Sequence, residues 1–309
     1  MNTVVVTGAA GAVGRRVVDI LAGRPEVERV VAVDRVGVPG QRATPPKVER
    51  QVVDLARTAA PPWGADAVIH LAWETETAPR RRSSGAPAAA AGANLQALAA
   101  ALHNASGARS LVHLSSATVY GAWPDNPVPI SEDATIRPNP GFAYAWEKAE
   151  AERRVGEWAE AHPEAAVAVL RPCAVVGSTT APLYRALGGL GGPQPEDRAG
   201  PLQYLHVDDL AAAVVLAWEQ GLRGAFNVAP DRGTSEATAR AIAGGLGRVP
   251  LPAPVARVAT RLAWRVAGAG VPPEAEALVR YPWVVSADRL AAAGWRPRYT
   301  SEEALVAAD

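Results

Sequence analysis

In the stretch FAYAWEKAEAERR, residues 142–154, a phenol and an ammonium stand four positions apart, Tyr144 and Lys148. Helical spacing of four puts both groups on one face. A free tyrosine titrates near ~10, and a cation ~4 Å away is worth up to ~4 kcal/mol at an effective dielectric near 20, enough to move the phenol by as much as ~3 pH units. That brings it close to working pH, where a general acid or base is most effective. The same spacing also arises where a tyrosine packs and a lysine pairs with a nearby glutamate. Lys148 and Lys47 are the two lysines among 31 basic residues, which fits a site that needs a compact ammonium and where the planar guanidinium used elsewhere in this chain would not substitute.

A second constellation lies at the N-terminus, where TGAAGAVG places Gly8, Gly11 and Gly14 between the apolar run TVVVTG and the helical pattern AVGRRVVDILAG. Glycines there allow a tight turn, close approach of the backbone to a pyrophosphate, and close seating of helix on strand. The helix N-terminus then offers unpaired amides and partial positive charge to phosphates. Twenty residues after Gly14, Asp34 stands at the end of the second strand, in RVVAVDR. A carboxylate at that place accepts from the adenosine ribose hydroxyls and repels a 2′-phosphate, which favours NAD(H) over NADP(H). Arg35 beside it pulls the other way, since it could accommodate the extra phosphate. Asp54, after a third strand, is open to two readings, an acceptor for the adenine amino group or a helix N-cap.

The elements that must position these groups alternate. Strands RVVAVDR, VERQVVDL, DAVIHLAW, SLVHLSSATVYG and AVAVLRPCAVVG are interleaved with helices NLQALAAALHNA and the one carrying Tyr144. Runs rich in Val, Ile or Leu without clean alternation predict a parallel sheet covered by helices on both faces, an α/β, Rossmann-type, doubly wound fold. Residues 1–176 and 203–230 are assigned to that domain; 177–202 and 231–309, with proline breaks in RVPLPAP and GVPPE, are assigned to a smaller, mostly helical substrate lobe. PRRRSSGAPAAAAG, 79–92, reads as a mobile loop running into a helix.

Balanced charge, 31 basic against 31 acidic residues without long runs of one sign, removes the footprint expected for nucleic acid or anionic lipid. The most apolar stretches are shorter than the ~20 residues of a membrane helix. A single cysteine, Cys173, excludes an intramolecular disulfide, and MNTVVVTG enters a strand without a signal-like segment, so a cytoplasmic protein is expected. His70, His113 and His206 are scattered without metal-ligand spacing and read as packed or hydrogen-bonded, and no metal is expected. Asp208 and Asp209 precede an apolar helix and are expected to cap it. Arg257, Arg261 and Arg265 recur every four residues as the wet face of an amphipathic helix.

TGAAGAVG, Asp34, HLAW (70–73), HLSSATVYG (113–121), YAWEK (144–148), LRPCAVVG (170–177) and HVDD (206–209), in this order, resemble the extended short-chain dehydrogenase/reductases and, more narrowly, the NAD-dependent epimerase/dehydratase family. The resemblance implies that Ser116 hydrogen-bonds the substrate oxygen, Tyr144 handles the proton and Lys148 holds the nicotinamide ribose. It further implies that Ala10, Ala12, Val13, Leu55, Leu71, Ala72, Trp73 and Cys173 line the cofactor, with Thr118 and Ala174 on the substrate side. Asn94 matches the family's bracing asparagine, although a helix N-cap before LQALAAAL is the other reading. The loop with Arg80–Arg82, otherwise a solvated run, lies near the substrate mouth in that family, and family dimers form through helices matching 94–104 and 146–161.

Two departures narrow the expectation. Ala117 and Thr118 stand where family dehydratases carry an Asp-Glu pair, which disfavours water loss. Ala174 replaces the asparagine that contacts a sugar nucleotide, which leaves a small or secondary-metabolite carbonyl as the expected substrate. The expected activity is hydride transfer between nicotinamide and a carbinol or ketone carbon in a homodimer. The alternatives are a nucleotide-sugar 4-epimerase with tightly bound NAD and a non-catalytic NAD(P)-sensing regulator.

Overall fold

The computed structural model describes residues 2–37, 45–58, 61–74, 92–177, 200–242, 254–255, 258–259 and 275–308. β1 (Thr3–Thr7) leads through the glycine turn into α1 (Ala12–Ala22), followed by β2 (Arg29–Asp34), β3 (Val48–Val52) and β4 (Ala67–His70). The alternation continues with α2 (Ala93–Asn104), β5 (Ser110–Leu114), a 3-10 turn (Ala117–Tyr120), α3 (Ala143–Ala161) and β6 (Ala166–Pro172). Then come β7 (Ala174–Val176), β8 (Tyr204–His206), α4 (Val207–Glu219) and β9 (Gly224–Val228). Short helices α5 (Glu236–Ile242), α6 (Glu276–Arg280), α7 (Asp288–Ala292) and α8 (Ser301–Val306) complete the described chain.

Seven strands form one parallel sheet in the order β3-β2-β1-β4-β5-β6-β9. Period-two alternation sends Val4, Val6, Ile69, Val112 and Leu170 to the face covered by α1 and α4. It sends Val5, Val31, Val68 and Leu111 to the face covered by α2 and α3. The inner strands are covered on both faces and read as near-continuous apolar runs, whereas the edge strand β3, VERQV, is partly exposed. Each fully enclosed valine contributes roughly 1.5–3 kcal/mol, and Val4, Val5 and Val6 of β1 are all of this kind. The chain moves outward from β1 to β3 and then resumes at β4 on the other side of β1. At such a reversal the crossovers diverge and leave a crevice at the carboxyl ends of the strands, where ligands bind in open α/β sheets.

Three readings of the sequence are corrected. SLVHLSSATVYG is strand only as far as Leu114, because Ser116 accepts the Thr118 amide at 3.2 Å and starts a 3-10 turn. AVAVLRPCAVVG breaks after Pro172, which has no amide hydrogen to extend the ladder. β7 leaves the main sheet there and pairs with β8 in a separate two-stranded sheet. The expected cap of α4 by its two aspartates is supplied instead by His206, whose ring nitrogen accepts from the Asp208 amide at 3.3 Å. Asp208 pairs with Arg16 of α1, and Asp209 pins the C-terminal segment by accepting the amides of Arg298 and Tyr299 at 3.0 and 3.1 Å.

Among the described residues no helix is long and apolar enough to cross a membrane. The Arg80–Arg82 loop, the helix expected around Arg257, Arg261 and Arg265, and most of 177–202 lie outside the described residues.

Candidate functional site

The glycine turn shows why its residues have no side chains. Gly8 sits at φ +73°, and a Cβ there would lie 2.6 Å from the Ala72 amide nitrogen. A Cβ on Gly14 would lie 2.1 Å from the Gly8 carbonyl oxygen, a backbone atom that cannot yield. Gly11 is the exposed N-cap of α1, and no side chain among the described residues caps that helix, so its first-turn amides around Ala12 and Val13 face outward. An uncapped helix end beside a cradle of glycines fits a pyrophosphate.

At the end of β2, one Asp34 oxygen accepts the Ala10 amide of this turn at 2.9 Å, and the other accepts the Val36 amide at 3.3 Å. Asp54 caps a turn: its carboxylate accepts from the Ala56 amide at 3.1 Å and lies 3.6 Å from Arg57. Of its two readings, the capping one describes this conformation, although the capped element is a turn instead of a helix. Leu55 is buried in the same core as Val33.

Across β1, the segment after β4 closes the other side of the crevice. Leu71 and Ala72 run against Gly8, their amides donating to the Thr7 carbonyl at 3.1 Å and the Thr7 hydroxyl at 3.4 Å. Glu74 takes two hydrogen bonds from the Arg35 guanidinium, at 2.9 and 3.1 Å. Asn94 is not the N-cap of α2, a place held by Gly92. Its buried amide accepts from the Glu74 amide at 2.7 Å and donates to the Glu74 carbonyl at 3.1 Å and to Glu147 at 3.0 Å. Asn94 thus ties the segment after β4 to α3, one residue from Lys148.

Tyr144 occupies the first turn of α3, half-buried, with its ring 5.8 Å from that of Phe142. One turn on, the buried Lys148 ammonium donates to the Leu114 carbonyl at 2.7 Å and sits 3.6 Å over the Trp73 ring. Burial pushes Lys148 well below its ordinary range, while Glu152 and Glu147 pull it back toward the charged form. Ser116 Oγ accepts both the amide and the hydroxyl of Thr118, at 3.2 and 2.9 Å. With its lone pairs engaged, the serine proton is the part left to donate outward. α3 packs on the 3-10 turn that follows Ser116, and Lys148 is bonded to the carbonyl two residues before it. Ser116, Tyr144 and Lys148 are therefore carried by one packed unit, the end of β5 and the start of α3.

Cys173 is buried at the break between β6 and β7, where burial pushes its thiol far above the ordinary range. With Ala174 it lines a small apolar cleft closed by Leu202, Tyr204 and Trp283.

Two polar clusters lie beneath this unit; His70 and His113 are packed and hydrogen-bonded as the sequence suggested, but their pairing, and the Glu152–Arg171 pair, escaped the sequence reading. His70 and His113 are register partners on β4 and β5 with rings stacked 5.6 Å apart, and Trp73 lies edge-on to His113. Burial, and then the Lys148 charge, hold His70 down at about 3 and His113 well below its usual value. Glu152 and Arg171 form a buried pair at 2.6–3.1 Å; Ser115 donates to Glu152, while Arg171 donates to the Tyr120 hydroxyl at 2.7 Å, which donates to Asn227 at 2.8 Å. Their signals were present: histidines and an arginine interrupt apolar strand ends, and Glu152 follows Lys148 by four residues.

Residues 4–229 match the profile of the NAD dependent epimerase/dehydratase family. An uncharacterised protein of Mycobacterium tuberculosis is 30% identical over 265 residues, covering 82% of this chain and 68% of that protein. A 3-diazoavenalumate denitrifying reductase from a Streptomyces species is 32% identical over 258 residues, covering 74% and 76% respectively. The Thermus thermophilus UDP-glucose 4-epimerase, solved in complex with NAD, shares the fold at a TM-score of 0.70 and 24% identity over 99% of this chain and 97% of its own.

Proposed function

The chain belongs to the NAD-dependent epimerase/dehydratase family, and from that membership we propose an NAD(P)-dependent oxidoreductase acting on a carbinol or ketone of a small or secondary-metabolite substrate, with NAD(H) preferred. The carrying observation is the state of Ser116. Its oxygen accepts twice from Thr118, which leaves its proton to polarise a substrate oxygen at the end of β5. Tyr144, one helical turn before Lys148, supplies or takes the proton. Lys148 is held at the Leu114 carbonyl, where it holds the nicotinamide ribose and, when charged, stabilises a tyrosinate. Gly8, Gly11 and Gly14 cradle the pyrophosphate, Asp34 takes the adenosine ribose, and Leu71, Ala72 and Trp73 form the wall beside it. A nicotinamide bound there supplies a carbon that gives or takes a hydride.

Net reduction is favoured over water loss because Ala117 is apolar and Thr118 is committed to Ser116, so no carboxylate stands at either position. The similarity to a Streptomyces reductase supports the same choice. A 4-epimerase is the second reading, supported by the fold shared with the Thermus enzyme; Ala174 in place of a sugar-contacting asparagine counts against it. A cofactor-sensing protein without turnover is a third, disfavoured by the presence of Ser116, Tyr144 and Lys148 together. The active form is inferred to be a cytoplasmic homodimer joined through 94–104 and 146–161.

Purified protein with NADH or NADPH and a panel of carbonyl compounds, followed by absorbance of the reduced cofactor, separates these readings. Net consumption is the expected outcome. Isomerised sugar without consumption would establish the epimerase, and binding without chemistry the sensor. Full turnover by Tyr144→Phe would remove the catalytic assignment.

A further inference from the structure

The adenosine end of the crevice carries a device that neither the glycine turn nor Asp34 explains. Arg35, at the end of β2, crosses the carboxyl end of β1 to reach Glu74, which follows β4. The pair is bidentate, and the Glu74 backbone is itself clamped from both sides by the buried Asn94 amide. With its main chain held in this way, Glu74 keeps the root of its side chain fixed on the Arg35 side of the crevice. Arg35 is the cation adjacent to Asp34, and its guanidinium lies in the field of Glu74, Asp34 and Asp54.

We propose that Glu74 is a specificity-determining residue for the cofactor: by occupying Arg35 it withholds from a 2′-phosphate the guanidinium that would otherwise bind it, and it adds a second carboxylate beside Asp34. This deepens the dinucleotide-binding reading above and rests on it. NAD(H) presents only a ribose hydroxyl here, whereas NADP(H) brings a phosphomonoester of charge about −1.5 to −2. To bind it, Arg35 has to leave two charge-assisted hydrogen bonds for two of the same kind, so the exchange gains nothing, and the Glu74 carboxylate remains as a negative charge near the phosphate. Glu74→Gln removes the repelling charge and reduces the competitor to one neutral acceptor.

The test compares dissociation constants of NADH and NADPH, read by cofactor fluorescence, for the unaltered protein, Glu74→Gln, Glu74→Ala, Arg35→Gln and the double variant Arg35→Gln/Glu74→Gln. The expected result is that both Glu74 variants lower the NADPH-to-NADH ratio of dissociation constants by about tenfold, on the order of 1.4 kcal/mol, and that Arg35→Gln in the Glu74→Gln background abolishes most of that shift. A ratio unchanged within about twofold in Glu74→Gln and Glu74→Ala would overturn the inference, as would a shift that persists without Arg35. Failure of the unaltered protein to bind either nucleotide would overturn the dinucleotide reading itself, a result distinct from both.

Discussion

Acidification is expected to weaken the fold through His70 in a way that can be calculated and isolated. The imidazole is fully buried, its Nδ1 is 2.8 Å from the Thr7 hydroxyl, and burial with the nearby Lys148 charge lowers it from 6.5 to about 3. Between those values the unfolded chain binds a proton that the folded chain refuses, so stability falls as pH falls. The loss at any pH follows from the two protonation factors. Going from pH 7 to pH 5, the unfolded histidine gains about 1.4 factors of ten in proton binding while the folded one gains almost none, about 1.9 kcal/mol. The folded value hardly enters the result, because at pH 5 a group titrating near 3 is still neutral. His113, which is also depressed by burial, adds in the same direction. The assay is urea unfolding near pH 7 and near pH 5 for the unaltered protein and for His70→Leu, which does not titrate. The substitution changes absolute stability by removing the Thr7 contact, but the difference between the two pH-dependent losses cancels that change. His70→Leu is expected to lose about 2 kcal/mol less than the unaltered protein over this interval. Equal losses in the two proteins would show that His70 is accessible to protons in the folded state and would refute the reasoning.

Other perturbations test the cradle, the buried pair and the lone thiol. Gly14→Ala forces a Cβ to within 2.1 Å of the Gly8 carbonyl, so it is expected to lower the melting temperature and to abolish saturable NADH binding, read by calorimetry. Glu152→Gln leaves Arg171 charged and enclosed, with side chains only 6–7% exposed; a loss of about 3–5 kcal/mol is expected in urea unfolding, while replacing both partners by methionine costs less. Cys173, whose thiol is buried and pushed upward, is expected to resist a thiol reagent at neutral pH in the folded protein and to react fully in denaturant.

The fold was legible because its inner parallel strands are dry on both faces, so TVVVTG, RVVAVDR and DAVIHLAW announce themselves as buried runs and the glycine turn fixes where the first crossover begins. The breaks at Leu114 and Cys173 were less legible. Each lies inside a run whose apolar character continues, and what ends the strand is a hydroxyl capping the next turn or a proline that donates nothing. The roles assigned to Asp34, Arg35 and Asn94 depended on partners far along the chain. Arg35 reads as a free cation until Glu74 is seen 39 positions away, and Asn94 stays open between a brace and a cap until Gly92 is seen to hold the cap.

The same geometry shows what was missing for the polar groups beneath the site. Thr7, His70 and His113 are register partners across β1, β4 and β5, and Val169 of β6 is the next in that row. Side chains alternate along a strand, so these residues share the face of Val5, Val68 and Leu111, and Arg171, two positions after Val169, points the same way. That face is the one α3 covers. Lys148 and Glu152, four apart on α3, meet the row from above, the first near the histidines and the second on Arg171. Parity and helical spacing were both readable in the chain, and either set could have been grouped alone. Which face α3 covers is set by the strand order, and that order places Lys148 above two imidazoles that stay neutral and so add no positive charge against it.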